Sequence, residues 1–136
     1  HGIDSFMMDL QEGYDATPKI SEGVIVSTIW SVDNLLEFYT NVARARAIHE
    51  KNGAIVRAWS IYGGRYAGAM AYNMSFESMA AYGQAFEGSR AEAQVMNGEI
   101  VAKGTVSARV LAGTILENPL IITKHFFQTR ANYSNC

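Results

Sequence analysis

The sequence predicts an α+β domain in which two helices cover one face of a four-stranded antiparallel sheet. Three observations lead to this prediction. Strand-like and helix-like segments follow in the order strand, helix, strand, strand, helix, strand; apolar residues in both helical segments recur every three or four positions; and a glycine pair joins the two central strands. Right-handed crossovers in this order place both helices on the same side of the sheet.

The composition is that of a single globular domain. The 136 residues are 49% apolar and 18% charged, with a formal net charge of −2, and Cys136 is the only cysteine. A chain of this size buries a core without a metal or a disulfide. Its weak charge argues against a nucleic-acid partner, and no apolar run reaches the roughly 18 residues of a membrane span. No signal peptide is visible, so we expect no membrane partner and a cytoplasmic location.

Three regions are predicted along the chain. Residues 1–21 mix Gly, Asp and Pro around a short apolar patch and are expected to form an irregular lead-in. Residues 22–118 hold the α+β domain. Residues 119–136 begin at a proline and then have strand propensity, so we expect a C-terminal extension that forms an edge strand or a strand swapped between subunits.

The first strand and the first helix are predicted next to one another. Residues 24–30 are rich in β-branched side chains, which is typical of a buried strand. Asp33 is the predicted N-cap of a helix over 33–51. Its apolar residues form one stripe, and Asn52-Gly53 can adopt the left-handed backbone conformation that ends a helix.

A hairpin and a second helix follow. Residues 54–61 and 65–74 each alternate in side-chain size, and Gly63-Gly64 provides the turn between them. Ser75 is the predicted cap of a second helix that Gly88 interrupts and that resumes over 89–96. Residues 105–115 are predicted as the last strand.

Alternation sorts the hairpin residues into two faces. Small residues suited to helix packing form one set, made up of Ala54, Val56, Ala58, Ala67, Ala69 and Ala71. The opposite positions form the other set, which is bulky apart from one glycine and is made up of Ile55, Arg57, Trp59, Ile61, Tyr66, Gly68, Met70 and Tyr72, with Arg109 added from the last strand. This second face is too apolar to be exposed to water and too polar to be buried in a core that contains no water. We therefore expect a homodimer in which two such faces meet around a partly filled pocket.

Three stretches of the chain resemble a known group of proteins. The entry to the second strand at 52–57, the Gly63-Gly64 hairpin followed by Gly68, and the helix start at 76–82 are similar to stretches of dimeric α+β barrel proteins near the NIPSNAP and antibiotic-biosynthesis monooxygenase families. The resemblance covers residues 24–115. It implies a ferredoxin-like βαββαβ fold, a homodimer, and a cleft between each sheet and its helices or the partner sheet. It does not imply one reaction, because this superfold hosts cofactor-free oxygenases, haem enzymes, isomerases and proteins with no known activity.

His49 is the candidate catalytic residue. It lies near the end of the first helix with Arg46 on the same side, and in relatives that act on small aromatic or acidic molecules a histidine in such a cleft can deprotonate a phenol. The alternative interpretation, and the commoner role of a histidine at this position, is that it only caps the helix C-terminus.

Five further residues are candidates for substrate binding. Arg57 and Arg109 either bind a carboxylate or phosphate of a ligand or pair with acidic residues of the other subunit. Trp59, Tyr66 and Tyr72 either stack on a planar substrate or anchor the subunit interface. For both sets the structural role is the commoner one.

Metal and cofactor sites are not predicted. His1 could chelate copper with His49 or His125, but the chain lacks the β-sandwich pattern of copper-dependent polysaccharide oxygenases. It has no His pair at helical spacing, no Cys pair, and no Walker, G-x-G-x-x-G or G-x-S-x-G motif. We therefore expect no metal and no cofactor.

Two functions remain open. The first is a cofactor-independent monooxygenase-like enzyme with a small aromatic or acidic ligand in an aromatic-lined cleft. The ligand would stack on Trp59 and Tyr72, Arg57 or Arg109 would hold its anionic group, and His49 would act as the base. The second is a non-catalytic ligand-binding or structural homodimer in which the same residues stabilise the interface.

Overall fold

The computed structural model describes residues 6–15, 23–103 and 108–117. These ranges form, in chain order, β1 (Phe6–Leu10), β2 (Val24–Val32), α1 (Leu35–Lys51), β3 (Ile55–Gly64), β4 (Met70–Phe76), α2 (Met79–Ala102) and β5 (Ala108–Glu117). The predicted α+β class, with an antiparallel sheet and two helices, is confirmed. Neither helix has the length and apolar character needed to cross a membrane. The predicted C-terminal extension, 119–136, lies outside the described residues.

The sheet contains five strands in the order β1-β3-β4-β2-β5, one more than predicted. Elements β2 to β5 are compatible with a ferredoxin-like fold. The additional strand, β1, lies within residues 1–21, which were predicted to be irregular. It pairs with β3 and sets Leu10 opposite Trp59. Gly63 makes room for the Met7 side chain of β1, because a Cβ at this position would lie 1.9 Å from Met7 Cε. A strand this short leaves too few alternating positions to be recognised in the sequence.

Helix α1 follows its prediction except at the cap. Asn34, and not Asp33, is the N-cap: its Oδ1 accepts a hydrogen bond from the Glu37 amide at 3.0 Å. The helix ends at Lys51 with Asn52 as its C-cap, and Gly53 adopts the expected positive φ of 94°. Phe38, Val42 and Ile48 form its buried stripe.

Helix α2 differs more from its prediction. Its N-cap is Ser78, whose Oγ accepts from the Ala81 amide at 3.0 Å, whereas the predicted cap, Ser75, is a buried residue of β4. The helix also continues without interruption through Gly88. A Cβ there would approach Asn52 Oδ1 to 2.6 Å, so this glycine allows the end of α1 to lie against α2. Close helix packing, and not a helix break, accounts for Gly88.

The hairpin register corrects the predicted faces of the sheet. A two-residue turn at Gly63-Gly64 would set Gly68 opposite Trp59, but Ala71 is paired with Trp59, because residues 65–68 form the turn. A shift by three residues, an odd number, transfers every side chain of β4 to the other face. Tyr72 is therefore paired with Ala58 on the helix-covered face. The predicted grouping of Tyr72 with Trp59 is wrong.

Each face of the sheet has its own core. Helices α1 and α2 cover the larger core, which includes Val24, Phe38, Val42, Val56, Tyr72 and Phe76. On the opposite face Trp59, Ile61, Ala69 and Ala71 pack with Met8, Leu10, Ile29 and Tyr66. Trp59 and Arg57 are only 8% and 5% exposed within one chain. The prediction of a homodimer through this face loses its main support, because these residues are shielded without a second copy.

Candidate functional site

A cavity of about 470 Å³ lies between the helix-covered face of the sheet and the two helices. This volume is within the usual range of small-molecule sites. Its walls are mainly apolar and include Trp30, Phe38, Val42, Ile48, Met74, Met96, Ile100 and Val101. The polar side chains among its lining residues are Thr28, Asn41, His49, Tyr72 and Asn97.

The central polar feature of the cavity is a hydrogen-bonded pair of side chains. His49, from the last turn of α1, places Nδ1 2.6 Å from the Oη of Tyr72 in β4. The two ring centroids are 5.6 Å apart. The odd register shift of the hairpin creates this contact, because it turns Tyr72 towards α1.

Burial keeps both members of the pair uncharged at neutral pH. It lowers the pKa of His49 below its ordinary value, so the imidazole is neutral. It also raises the pKa of Tyr72 far above that of a free phenol, and the nearby Tyr14 and Glu50 raise it further. Either side chain can then be the donor, depending on which imidazole nitrogen carries the proton.

The charged groups near this pair are satisfied by other partners. Arg46 Nε lies 3.1 Å from Glu50 Oε2, and both Arg46 terminal nitrogens donate to the Gly13 carbonyl at 3.3 Å. The Arg46 guanidinium also covers the Tyr14 ring at 4.1 Å from its centroid. Among the described residues that line the cavity there is no Lys, Arg, Asp or Glu.

A second hydrogen-bonded group fixes the aromatic wall. Thr28 Oγ1 donates to the Tyr72 carbonyl at 3.2 Å and accepts from Trp30 Nε1 at 2.9 Å. The Trp30 ring lies 6.3 Å from that of Phe38. These contacts satisfy the polar atom of Trp30, so its indole presents an apolar surface to the cavity.

Two ion pairs connect the helices beside the cavity. Arg44 pairs with Glu99, and Lys51 Nζ lies 2.5 Å from Glu92 Oε1. The Arg44 contact raises the pKa of the guanidinium and lowers that of the Glu99 carboxyl. Both pairs are solvent-exposed and each adds little stability, but they define how α2 runs antiparallel to α1 over the cavity.

Of the six predicted site residues, His49 and Tyr72 line the cavity and the other four do not. Arg57 is buried on the opposite face, where its Nε donates to the Asp15 carbonyl at 2.5 Å. On the same face Trp59 is buried and packs with Ile61, Ala69 and Ala71.

Tyr66 and Arg109 are also distant from the cavity lining. Tyr66 lies in the hairpin turn, and the Arg65 guanidinium is 5.3 Å from its ring centroid. Arg109 is exposed on β5, paired with Ser31. The aromatic walls are formed instead by Trp30 and Phe38.

Sequence reasoning missed Trp30, Asn41 and Asn97 as lining residues. For Asn41 a signal was present, because it is a polar residue among the inward-facing positions 38, 42, 45 and 48–49 of α1. Trp30 and Asn97 carried no comparable signal, since their positions depend on how β2 and α2 meet.

Comparison with models of known protein families finds no match, and comparison with curated proteins finds none either. Within the described ranges no group of three or more His, Cys, Asp or Glu side chains is placed to hold a metal ion. The chemistry of the site is therefore argued from the cavity and the His49–Tyr72 pair.

The burial of His49 predicts that the protein is less stable in acid. Its pKa is lowered in the folded state, so below the ordinary histidine pKa of 6.5 the unfolded chain binds more protons than the folded one. The free energy of unfolding should therefore fall as the pH decreases from 6.5 towards the lowered pKa. Urea unfolding of the wild type and of His49→Gln at pH 7.5, 6.5, 5.5 and 5.0 measures this slope. Equal slopes for the two proteins would contradict the prediction, because all other titratable groups are common to both.

Proposed function

We propose that the protein is an enzyme that binds a small, mainly aromatic molecule in the cavity and removes a proton from it. This proton transfer is the first step of a cofactor-independent monooxygenase reaction. The observation that carries the proposal is the His49–Tyr72 pair, at 2.6 Å, in the wall of an otherwise mainly apolar cavity. A neutral imidazole in a cleft of this kind is a suitable general base.

The two side chains have different roles in this proposal. With the proton on Nδ1, His49 donates to Tyr72 Oη and leaves the Nε2 lone pair free to accept a proton from the substrate. Tyr72 holds the imidazole in this tautomer and can donate its own hydroxyl proton to the substrate oxygen on which negative charge develops. Its raised pKa supports this role, because the phenol remains protonated throughout the physiological range. Trp30 and Phe38 supply the apolar surface for the aromatic rings.

The proposed substrate has an acidic methylene next to an aromatic system, as in anthrone, whose enol is a fully aromatic phenol. His49 takes one proton from the methylene carbon. The resulting carbanion transfers electrons to dioxygen, and a bond forms between this carbon and one oxygen atom. The protonated His49 returns its proton to the terminal oxygen, which gives a hydroperoxide. His49 then takes the second proton from the same carbon, the C–H electron pair forms the C=O bond, and the O–O bond breaks. The departing hydroxide takes this proton from His49, which leaves a ketone, water and the neutral imidazole. The methylene carbon thereby loses four electrons and the dioxygen gains four.

Anthrone oxidation tests the proposal. We expect the protein to accelerate oxygen uptake and anthraquinone formation at least about a hundredfold over buffer, the lower end of general-base contributions. We expect the rate to rise with pH as His49 loses its proton, with a midpoint below 6.5, and then to remain constant at neutral pH. Absence of acceleration, in the presence of anthrone binding, would refute the catalytic proposal.

The second candidate function is a non-catalytic ligand-binding or structural homodimer of the dimeric α+β barrel type. It is favoured by β5, which forms one edge of the described sheet and exposes Val110, Leu111 and Ile115. An apolar edge strand is a natural pairing site for a second copy. Sedimentation alongside the anthrone assay separates the two functions. A dimer that shows no oxidation supports the second, and acceleration of oxidation supports the first whether or not the protein is dimeric.

A further inference from the structure

We infer that the cavity selects a neutral, elongated molecule with a hydrogen-bonding oxygen at each end, one held by the His49–Tyr72 pair and the other by Asn41, with Asn97 beside the middle of the molecule. The inference rests on the proposed function and narrows its substrate class. It excludes the small carboxylates and phosphates that the sequence analysis considered.

The unused hydrogen-bonding capacity of the cavity wall lies in two side-chain amides. Asn41 is half-buried on α1 and Asn97 is exposed on α2, and both line the cavity. Neither side chain makes a hydrogen bond to another residue of the described ranges. Each amide offers two donors and one acceptor, which suit a hydroxyl or a carbonyl oxygen. Thr28, in contrast, already uses its hydroxyl group on Tyr72 and Trp30.

Helix geometry separates the two polar positions. Asn41 and His49 are eight residues apart on α1, or about 12 Å along its axis. The pairs Arg44–Glu99 and Lys51–Glu92 place Asn97 beside the middle of this interval. A molecule of two or three fused aromatic rings can therefore extend from the His49–Tyr72 pair past Asn97 to Asn41, with Trp30 and Phe38 in the wall between α1 and the sheet.

The charges around the cavity favour a neutral molecule. Arg46, close to the His49–Tyr72 pair, contacts Glu50, Gly13 and Tyr14. Arg57 and Arg109 are not among the lining residues. Among the described lining residues a carboxylate would lose its hydration without gaining a cationic partner, and this costs far more than the burial of a neutral hydroxyl.

Three naphthalenes test the inference by fluorescence titration of the whole protein at pH 7. They are 2-naphthol, with one polar end; 2,6-dihydroxynaphthalene, with two; and 6-hydroxy-2-naphthoate, in which the second end is anionic. We expect 2,6-dihydroxynaphthalene to bind about tenfold more tightly than 2-naphthol, because it gains one to two hydrogen bonds. We expect 6-hydroxy-2-naphthoate to bind at least about tenfold more weakly than 2-naphthol.

Variants identify the residues responsible. Asn41→Leu keeps the side-chain size and should remove most of the advantage of 2,6-dihydroxynaphthalene over 2-naphthol, both measured in the same variant. Asn97→Leu should reduce this ratio less, because Asn97 lies beside the middle of the molecule. Gln94→Leu is the matched control, since Gln94 is exposed on the same helix as Asn97 and does not line the cavity. Circular dichroism verifies that each variant folds, and the wild-type series tests the charge selection without any variant.

Each outcome has a defined meaning. Binding of 6-hydroxy-2-naphthoate as tight as that of the diol would overturn the inference, and so would a diol advantage that survives in Asn41→Leu. If 2-naphthol binds and anthrone oxidation depends on His49 but the diol has no advantage, the inference fails and the proposed function stands. If no naphthalene and no anthrone binds the wild type, both are overturned.

Discussion

Replacement of His49 by glutamine is expected to lower kcat/KM for anthrone oxidation by about 10²–10⁴-fold, the usual contribution of a positioned general base. A glutamine amide can still form a hydrogen bond to Tyr72, but it cannot accept a proton from carbon. The loss should therefore fall on kcat, with little change in KM. Initial rates of oxygen uptake between pH 5 and 9 measure both parameters, and the rise of activity in mild acid should disappear in the variant.

Two tyrosine variants control for this result. Tyr72→Phe removes the hydroxyl group that holds the His49 imidazole, so kcat should fall and the pH midpoint should move, which a merely structural effect would not produce. Tyr66→Phe removes a hydroxyl group in the hairpin turn, away from the cavity lining, and should leave the kinetics unchanged. A His49→Gln protein that binds anthrone and retains full activity would remove His49 from the mechanism.

The elements of the fold were predictable where local chemistry decides them. The β-branched run of β2, the apolar stripe of α1 and its end at Asn52-Gly53 are all properties of adjacent residues, and the structure confirms them. Even the errors at the two caps are displacements of one and three residues, from Asp33 to Asn34 and from Ser75 to Ser78. Alternative cap residues stand close together there, and local preference alone does not rank them.

The candidate site was less predictable, because it depends on the register of the β3–β4 hairpin, which is set by the number of residues in its turn. His49 was found from its residue type and its place at the helix end. Its partner Tyr72 was placed on the opposite face, since a two-residue turn at Gly63-Gly64 was assumed. A register error of an odd number of residues transfers every side chain of the strand to the other face of the sheet. The contact that defines the site therefore could not be derived from strand propensity.

Replacement of Phe76 by alanine is expected to cost about 3–5 kcal/mol of folding free energy, the usual range for a buried phenylalanine. Phe76 is 4% exposed at the end of β4, and its ring lies 5.3 Å from that of Tyr82 in α2. The buried residues of helix α2 itself are only Ala85 and Ser89, which are small. The helix therefore depends on the contact between Tyr82 and Phe76 for its position on the sheet. Urea unfolding at pH 7 measures the loss.

Two further substitutions at phenylalanine positions make this prediction specific. Phe76→Leu retains most of the apolar volume and should cost less than about 1.5 kcal/mol. Phe86→Ala removes the same side chain from a position of α2 that is 56% exposed, so its cost should be well below that of Phe76→Ala. Because Met96 and Ile100 of α2 line the cavity, Phe76→Ala should also weaken 2-naphthol binding at temperatures where the variant is still folded. Equal losses of stability in Phe76→Ala and Phe86→Ala would contradict the prediction that the buried contact of Phe76 positions α2.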